Sequence, residues 1–354
     1  MQKSSNKVPL IIALVGFGII AGVFGVVAWL IDGGQVAEST GRSNNVIAGQ
    51  PPVSAAVPEE GTLSTVQNVP KGLFNYGGST TWIPIHEPTQ TVIVSAFPEF
   101  QLRYMLPSGD APGSGTGIQM LLEGQLSFSE SSRPLEPAEY EAAQQRGFSL
   151  EQIPAAIDAI VLAVHPNLGM EGLSVDQIKA IYKGEVTNWS ELGGPDLPIS
   201  AYSRSPEAAG TAKFFLEDVL DTNTYGENVV FVENTTTGLR QVLGDRGGIY
   251  YASAPEIVNQ CSIYAIPVAL QSQPDVFVPP FADVWETGQA CISQPNTINR
   301  NAFRDGSYPL TRRLFVIAKV DGADDEAAGR AYANILLSPE GQTLVEEAGF
   351  VGIR

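Results

Sequence analysis

APGSGTGIQMLLEGQLSFSESSRPL, residues 111–135, joins a glycine- and serine-rich turn to an apolar run able to continue as a helix. Such a turn offers unpaired N–H groups where a helix begins, hydroxyl donors beside them, and glycines that admit close approach to the backbone. Two more stretches share that character: FNYGGSTTWIP (74–84) and AYSRSPEAAGTAKFF (201–215). Any one of them also reads as an ordinary capped helix start, since Ser and Thr are common caps. Three in one chain, with Arg204 just ahead of the third, point to an anion site assembled from separate loops.

Around these turns, short apolar runs alternate with helical patterns from Lys71 onward. TVIVSAF (91–97) reads as strand-like, continued by Phe100, Leu102 and Tyr104; AIDAIVLAVHP (156–166) reads as a buried strand ending at proline. SVDQIKAIYKG (174–184) predicts a helix with Val175, Ile178 and Ile181 on one stripe, Ser174 as N-cap and Gly184 as C-cap. AGTAKFFLEDVL (209–220) predicts another, with Phe214, Phe215 and Leu216 inward. GGIYYAS (247–253) and RRLFVIAK (312–319) predict strands, and residues 136–152 and 325–349 predict helices. Strands alternating with helices imply an α/β protein with largely parallel sheets.

Length and charge bound the rest. A chain of 354 residues suits two compact domains better than one. A formal net charge of −18 excludes a nucleic-acid partner, which requires basic surface, and obliges any anion site to create its own positive potential. His86 and His165 are the only histidines and Cys261 and Cys291 the only cysteines, so metal clusters and Ser/His/Asp or Cys/His catalysis have little to build on. The two histidines are expected to be structural or at the surface, Trp82 and Trp189 to be packing residues, and Glu139 and Glu141 to lie on a solvated helix face. Arg312 and Arg313 read as loop charges with no chemistry.

Val8–Ile31 holds 24 residues without a charge, enough to cross a bilayer as a helix. Lys3 and Lys7 precede it and Asp32 follows, which places a stub of residues 1–7 in the cytoplasm and the remainder outside. A cleaved signal peptide is the alternative; the run exceeds the usual apolar core of such a peptide, and no clear A-x-A site follows it. An anchor at 8–31 would be followed by a Gly-, Ser- and Pro-rich tether over 32–70, spanning about 35 Å as a coil. Outside the cytoplasm Cys261 and Cys291 can pair, with two buried thiols as the other possibility.

From Lys71 to Arg354 the chain resembles the PstS-like solute-binding proteins, the phosphate-binding proteins of bacterial phosphate ABC transporters. Five segments match in family order: GSTT (78–81), GSGTGIQMLLEGQLSFSESSRPL (113–135), LSVDQIKAIYKGEVTNWSELGG (173–194), SYPLTRRLFVIAK (307–319) and LLSPEGQTLVEEAGFVGI (336–353). The resemblance implies a type II periplasmic-binding-protein fold, with two α/β lobes closing on the ligand about a two-stranded hinge. Lobe 1 would combine 71–165 with 308–354, and lobe 2 would span 166–307.

It also implies the site. Ser79, Thr80 and Thr81 fall on the first loop, Ser114 and Gly115 open the second loop's helix, Arg204 matches the arginine that pairs with the anion, and Gly210 and Thr211 match the end of a donor turn. Two departures stand out. Ser132 occupies a position where many members carry an aspartate that accepts a hydrogen bond from protonated phosphate and repels sulfate; Arg133 beside it would add a cation, and Glu130 is a candidate replacement acceptor. Ala209 stands where a serine is usual, with one extra residue between Arg204 and Gly210.

The function expected is capture of phosphate outside the cytoplasmic membrane for delivery to an ABC permease, with no metal or cofactor and no catalysis. A membrane-tethered oxyanion sensor or scaffold, and a binder of another tetrahedral oxyanion such as sulfate, are the alternatives. A phosphate-ester hydrolase would need a nucleophile–base pair or a metal cluster, and the sequence supplies neither.

Overall fold

Ser149–Val164 forms the longest strand, β4, and nearly all of its side chains are buried. The computed structural model describes Leu63 and residues 66–353, apart from positions 111 and 208. An apolar run covered on both faces has no reason to alternate, which is why this strand reads as continuous hydrophobics. It starts earlier than the expected 156 because Pro154 sits at a register shift opposite Leu314/Phe315, the kind of irregularity that tolerates a residue without an N–H.

Along the chain, the first lobe begins with β1 (Gly72–Gly78), α1 (Ile83–Ala96), β2 (Phe100–Tyr104), α2 (Ser114–Leu122), β3 (Phe128–Ser131) and α3 (Pro137–Gln145). After β4 come β5 (Leu173–Ser174), α4 (Val175–Lys183), β6 (Ser200–Ser203), α5 (Gly210–Phe214) with a π-helical turn at Phe215–Val219, and β7 (Val229–Phe231). Next are α6 (Thr235–Gly244), β8 (Gly248–Ser253), α7 (Ala254–Val258), β9 (Tyr264–Ile266), β10 (Val268–Ala269), β11 (Phe277–Val278), α8 (Gly288–Ser293) and α9 (Arg300–Asp305). The chain ends with β12 (Thr311–Val320), α10 (Asp324–Leu337) and α11 (Pro339–Glu347).

The strands order as β2-β1-β3-β12-β4-β8-β6-β7, with β9 also on β4 and a separate sheet β11-β10-β5. β1 runs parallel to β2 and β3, and β6 parallel to β7 and β8. The pairings of β4 and β12 are antiparallel, so the sheet is mixed about its centre. β4 pairs with β12 through its first part, with β8 from Ile160 to Val164 and with β9 from Leu162 to Val164. The two lobes therefore share these strands. Ala159–Val164 and Leu310 pack in the second lobe's core, whereas Ala155, Ala156, Leu314 and Val316 pack in the first's. A bridge between Ile157 and Val351 adds the C-terminal tail to the crossing.

Several expectations change. Residues 91–97 end a helix rather than form a strand. Their β-branched content favours extended backbone, but Ile85, Thr89 and Ile93 recur at helical spacing and are the residues α1 buries. The helix over 136–152 stops at Gln145, and 325–349 divides into two helices at Ser338, whose hydroxyl accepts from Gly341 N ahead of Pro339. The tether assigned to 32–70 ends sooner, because Leu63 and Val66 pack into the first lobe and Leu63 N donates to Glu340 at 3.2 Å.

The anchor expected at 8–31 lies outside the described residues; among those described, no helix is long and apolar enough to cross a membrane. Cys261 and Cys291 form a disulfide, which removes the alternative of two thiols. Trp82 and Trp189 are fully buried, as expected of packing residues.

Candidate functional site

The end of β1 turns into α1 through Ser79, Thr80 and Thr81. Ser79 Oγ accepts from Thr81 N at 3.3 Å, and the Trp82 indole donates to Ser131 O at 3.1 Å, so this loop is tied to the one after β3. α2 packs against the same loop at very close range. A Cβ on Gly117 would lie 2.4 Å from the Gly78 Cα, so only glycine permits the approach.

Ser114, the first residue of α2, accepts from Ser132 N at 3.0 Å, and its hydroxyl lies 3.2 Å from Ser132 Oγ. Ser79 Oγ donates to Ser132 Oγ at 2.9 Å. Ser79, Ser114 and Ser132 thus form one buried hydroxyl cluster from three segments of the first lobe. Gly210, opening α5 in the second lobe, faces it: a Cβ there would sit 2.8 Å from Ser114 Oγ and 3.0 Å from Ser132 Oγ. Thr211 Oγ1 lies 3.2 Å from Thr81 Oγ1 across the same boundary.

Beside this cluster is a small cleft lined by Thr80, Thr81, Arg204, Ala209, Thr211, Thr235, Tyr250 and Glu256, among others. Of the residues expected from the sequence, Thr80, Thr81, Arg204 and Thr211 therefore share one cleft. Ser79, Ser114, Ser132 and Gly210 form the adjoining cluster.

Gly115 and Arg133 stand apart. A Cβ on Gly115 would lie 3.5 Å from Arg133 Nη2, but that guanidinium is occupied. Arg133 grips Glu139 with two bonds of 3.0 and 2.7 Å, donates to Pro134 O at 2.8 Å, and lies 3.2 Å from Glu136. Burial works against its charge, yet these acids hold its pKa above the usual value. Its hydrogen bonds are thereby all made within the first lobe. Glu139 is correspondingly a partner for Arg133 rather than part of a solvated face, which Glu141 does occupy.

Glu130 is no acceptor for the cleft. It is fully buried, accepts from Tyr332 Oη at 2.8 Å, and lies 2.7 Å from His86 Nε2 on the core side of β3. Side chains alternate across a strand, so Glu130 faces the opposite way from its neighbours Ser129 and Ser131. His86 is consequently part of a polar pair, not an isolated side chain. His165 makes a local contact, accepting from Asn167 N at 3.1 Å.

Residues that the sequence reading passed over stand behind the threonines. Arg312 lies in β12, buried, rather than in a loop. Its Nε donates to Asp158 Oδ2 at 2.9 Å, and its Nη2 donates to Thr211 Oγ1 at 2.8 Å and Thr81 Oγ1 at 3.1 Å. Strand alternation carries the missed signal: Arg312 shares a face with Leu314, Val316 and Ala318. Asp158 signals itself as the one charge in an apolar strand segment, where a carboxylate must be paired. Glu256 reaches the cleft from α7; burial, assisted by the Asp158 charge, holds its carboxyl above the usual range against the Thr235 hydrogen bond. Among the described residues no group of His, Cys, Asp and Glu is arranged to hold a metal ion.

Arginine and hydroxyl donors converge here. That chemistry suits holding an anion.

Residues 58–340 match the model of the PBP superfamily domain. The phosphate-binding protein PstS of Staphylococcus haemolyticus is 26% identical over 289 residues, covering 79% of this chain and 81% of that protein. PstS of Staphylococcus aureus strain USA300 is 25% identical over 287 residues, covering 79% and 78%. Among solved structures, a putative phosphate ABC transporter substrate-binding protein with bound phosphate from Clostridium perfringens aligns with a TM-score of 0.60 at 24% identity, covering 80% of this chain and 100% of that one. An ABC-type phosphate transport receptor from Vibrio cholerae aligns with a TM-score of 0.60 at 21% identity, covering 78% and 99%.

Proposed function

Since the chain belongs to the PBP superfamily, we propose that it is a PstS-like solute-binding protein that captures inorganic phosphate between its lobes and delivers it to an ABC permease. The observation that carries this reading is the meeting of loops from both lobes, where Thr81 and Thr211 stand 3.2 Å apart on a cleft that Arg204 also lines. A dehydrated oxyanion needs many donors, and hydroxyls, backbone N–H groups and one guanidinium supply them without a metal. Thr80, Thr81, Ser114, Gly210 and Thr211 are the proposed neutral donors, with Arg204 the cation; Ser79, whose hydroxyl goes to Ser132 and whose N–H goes to Glu130 O, is proposed to orient the cluster. Closing the lobes completes the set and excludes water. Such a protein binds and releases its ligand unchanged, so it is no enzyme.

The proposal places the binding lobes outside the cytoplasmic membrane, with residues 8–31 as the anchor. That apolar run precedes a domain whose first packed residue, among those described, is Leu63.

A second reading, a binder of sulfate or another tetrahedral oxyanion, draws on Ser132. Its hydroxyl can donate to a ligand oxygen where an aspartate would repel an unprotonated anion. Calorimetry of the full chain in detergent with phosphate, sulfate, arsenate, molybdate and tungstate distinguishes the two. Phosphate is expected to bind most tightly. Tighter binding of sulfate favours the second reading, and failure of every oxyanion ends both.

A further inference from the structure

Thr81 and Thr211 come from opposite lobes, yet one nitrogen holds both. Arg312 Nη2 donates to Thr211 Oγ1 at 2.8 Å and to Thr81 Oγ1 at 3.1 Å. Its guanidinium lies 5.5 Å from the Phe214 ring of α5, but its charged anchor belongs to neither loop. Nε and Nη2 both reach Asp158 Oδ2, at 2.9 and 2.8 Å, and Asp158 Oδ1 accepts from Ser253 Oγ at 2.5 Å. Asp158 and Arg312 lie on β4 and β12, the strands the two lobes share, and are paired in register. The guanidinium is thus mounted on the crossover itself.

We propose that Arg312 is a positioning residue that makes both threonine hydroxyls donors toward the ligand and links that polarity to lobe closure. The inference rests on reading the cleft as an oxyanion site and adds a determinant to it.

A guanidinium carries only donors, so each threonine oxygen it touches must accept. A hydroxyl that accepts there keeps its own O–H for another partner. At 3.2 Å from each other, one threonine can donate to the second, and an anion in the cleft they both line competes for that proton. Were Arg312 absent, either hydroxyl could turn and present a lone pair instead, which an anion repels. Closure follows from the same geometry. Because the acceptors of Nη2 belong to different lobes, both bonds form only when the lobes come together, so ligand binding and the Arg312 contacts support each other.

Stability alone is a poor account of the Arg312–Asp158 pair. Burying two charges costs about as much as their attraction returns, and apolar replacements of such pairs are often neutral. Lysine would keep the charge but has no fork to hold Asp158 while reaching two hydroxyls.

The test measures phosphate affinity and release, by calorimetry and stopped-flow tryptophan fluorescence, on full-length wild type, Arg312→Lys, Thr211→Val and their combination. Arg312→Lys is expected to weaken phosphate binding at least tenfold, chiefly through faster release. In the combination the two losses are expected to overlap, because both act through one hydroxyl. If Arg312→Lys does not fold, Arg312→Gln with Asp158→Asn removes both charges together and carries the same measurement, with the same tenfold loss expected. Wild-type affinity in either variant overturns the inference, as do losses that multiply in full with Thr211→Val. Wild-type protein that binds no oxyanion overturns the functional reading, and this inference with it.

Discussion

Nζ of Lys213, in the second lobe, lies 2.7 Å from Oε1 of Glu136, which caps α3 in the first. Arg133 Nη2 approaches the same oxygen at 3.2 Å, so one carboxylate serves a cation from each lobe. Burial alone would raise the Glu136 pKa, but the Lys213 hydrogen bond and the Arg133 charge bring it below the usual value. Both Lys213 and Glu136 keep about a third or more of their side-chain surface in water, at 31% and 41%, so the contact is screened. Such pairs contribute about 0–1 kcal/mol. Lys213→Met is therefore expected to raise the phosphate dissociation constant by no more than about fivefold. The change should appear in the release rate and shrink in about 0.5 M salt. Stopped-flow release at two ionic strengths checks this; a salt-independent loss would show that Lys213 acts otherwise.

Gly210 gives a sharper effect without any charge. The Cβ of an alanine there would stand 2.8 Å from Ser114 Oγ and 3.0 Å from Ser132 Oγ, both fully buried and already bonded to one another. Neither oxygen belongs to a long flexible side chain that could swing aside. Gly210→Ala is expected to hold the lobes apart by a few tenths of an ångström or more and to weaken phosphate binding at least tenfold. Each lobe keeps its own core, so the melting temperature without ligand should change by only a few degrees. Calorimetry alongside thermal melting separates the two outcomes, and unchanged affinity would mean that closure does not bring Gly210 onto the hydroxyl cluster.

The parts of the fold most legible in the sequence are those whose signals are local. Helix α4 is one: Ser174 accepts from Gln177 N, Gln177 accepts from Ser174 N, and Gly184 ends the helix at φ 77°, all written in adjacent residues. Residues 91–97 were opaque because β-branched side chains favour strands while the burial that decides the matter comes from distant partners. The three loops were recognisable as glycine- and hydroxyl-rich turns, yet the division of labour among their side chains was not. Arg133 looked available until Glu139 was placed against it, and Glu130 looked adjacent to the cleft until the strand turned it toward His86. Arg312 was hidden for the opposite reason. Its role depends on Asp158, Thr81 and Thr211, which lie far from it in the chain and meet only in the fold.

The partly buried pair His86–Glu130 makes the stability of the first lobe depend on pH. Burial opposes the imidazolium, but the charge of Glu130 and its hydrogen bond outweigh that and raise the His86 pKa above the ordinary 6.5. The surrounding phenols do not titrate in this range: burial raises Tyr332 well above its ordinary value and pushes Tyr104 up to about 12. A group whose pKa is raised by folding stabilises fully below its unfolded value and loses that stabilisation as pH rises through the folded value. Melting temperature is therefore expected to decline as pH rises above about 6.5 toward the mildly alkaline range. His86→Gln should remove most of that slope and cost about 1–3 kcal/mol at low pH, the worth of a charged hydrogen bond. An identical pH slope in wild type and His86→Gln would show that another group controls it.

On the proposed reading, Ser132 sets the selectivity. Its hydroxyl is fully buried, receives a hydrogen bond from Ser79 at 2.9 Å, lies 3.2 Å from Ser114 Oγ, and faces Gly210 of the second lobe. A carboxylate placed there by Ser132→Asp could accept from both serine hydroxyls, which would offset part of the cost of burying its charge. Toward the ligand it could only accept. Phosphate retaining a proton can donate to such an oxygen, whereas sulfate at neutral pH has no proton to give and would meet bare repulsion. The wild-type hydroxyl makes no such distinction, since it can donate to either anion. Ser132→Asp is therefore expected to raise the phosphate-to-sulfate affinity ratio at least tenfold, mainly by expelling sulfate. The gain should persist at mildly alkaline pH, because HPO4 2− keeps the proton it donates. Competition titrations of both proteins with the two anions at neutral and alkaline pH measure this directly. If the substitution weakens both anions equally, the position governs packing between the lobes rather than the protonation state of the ligand.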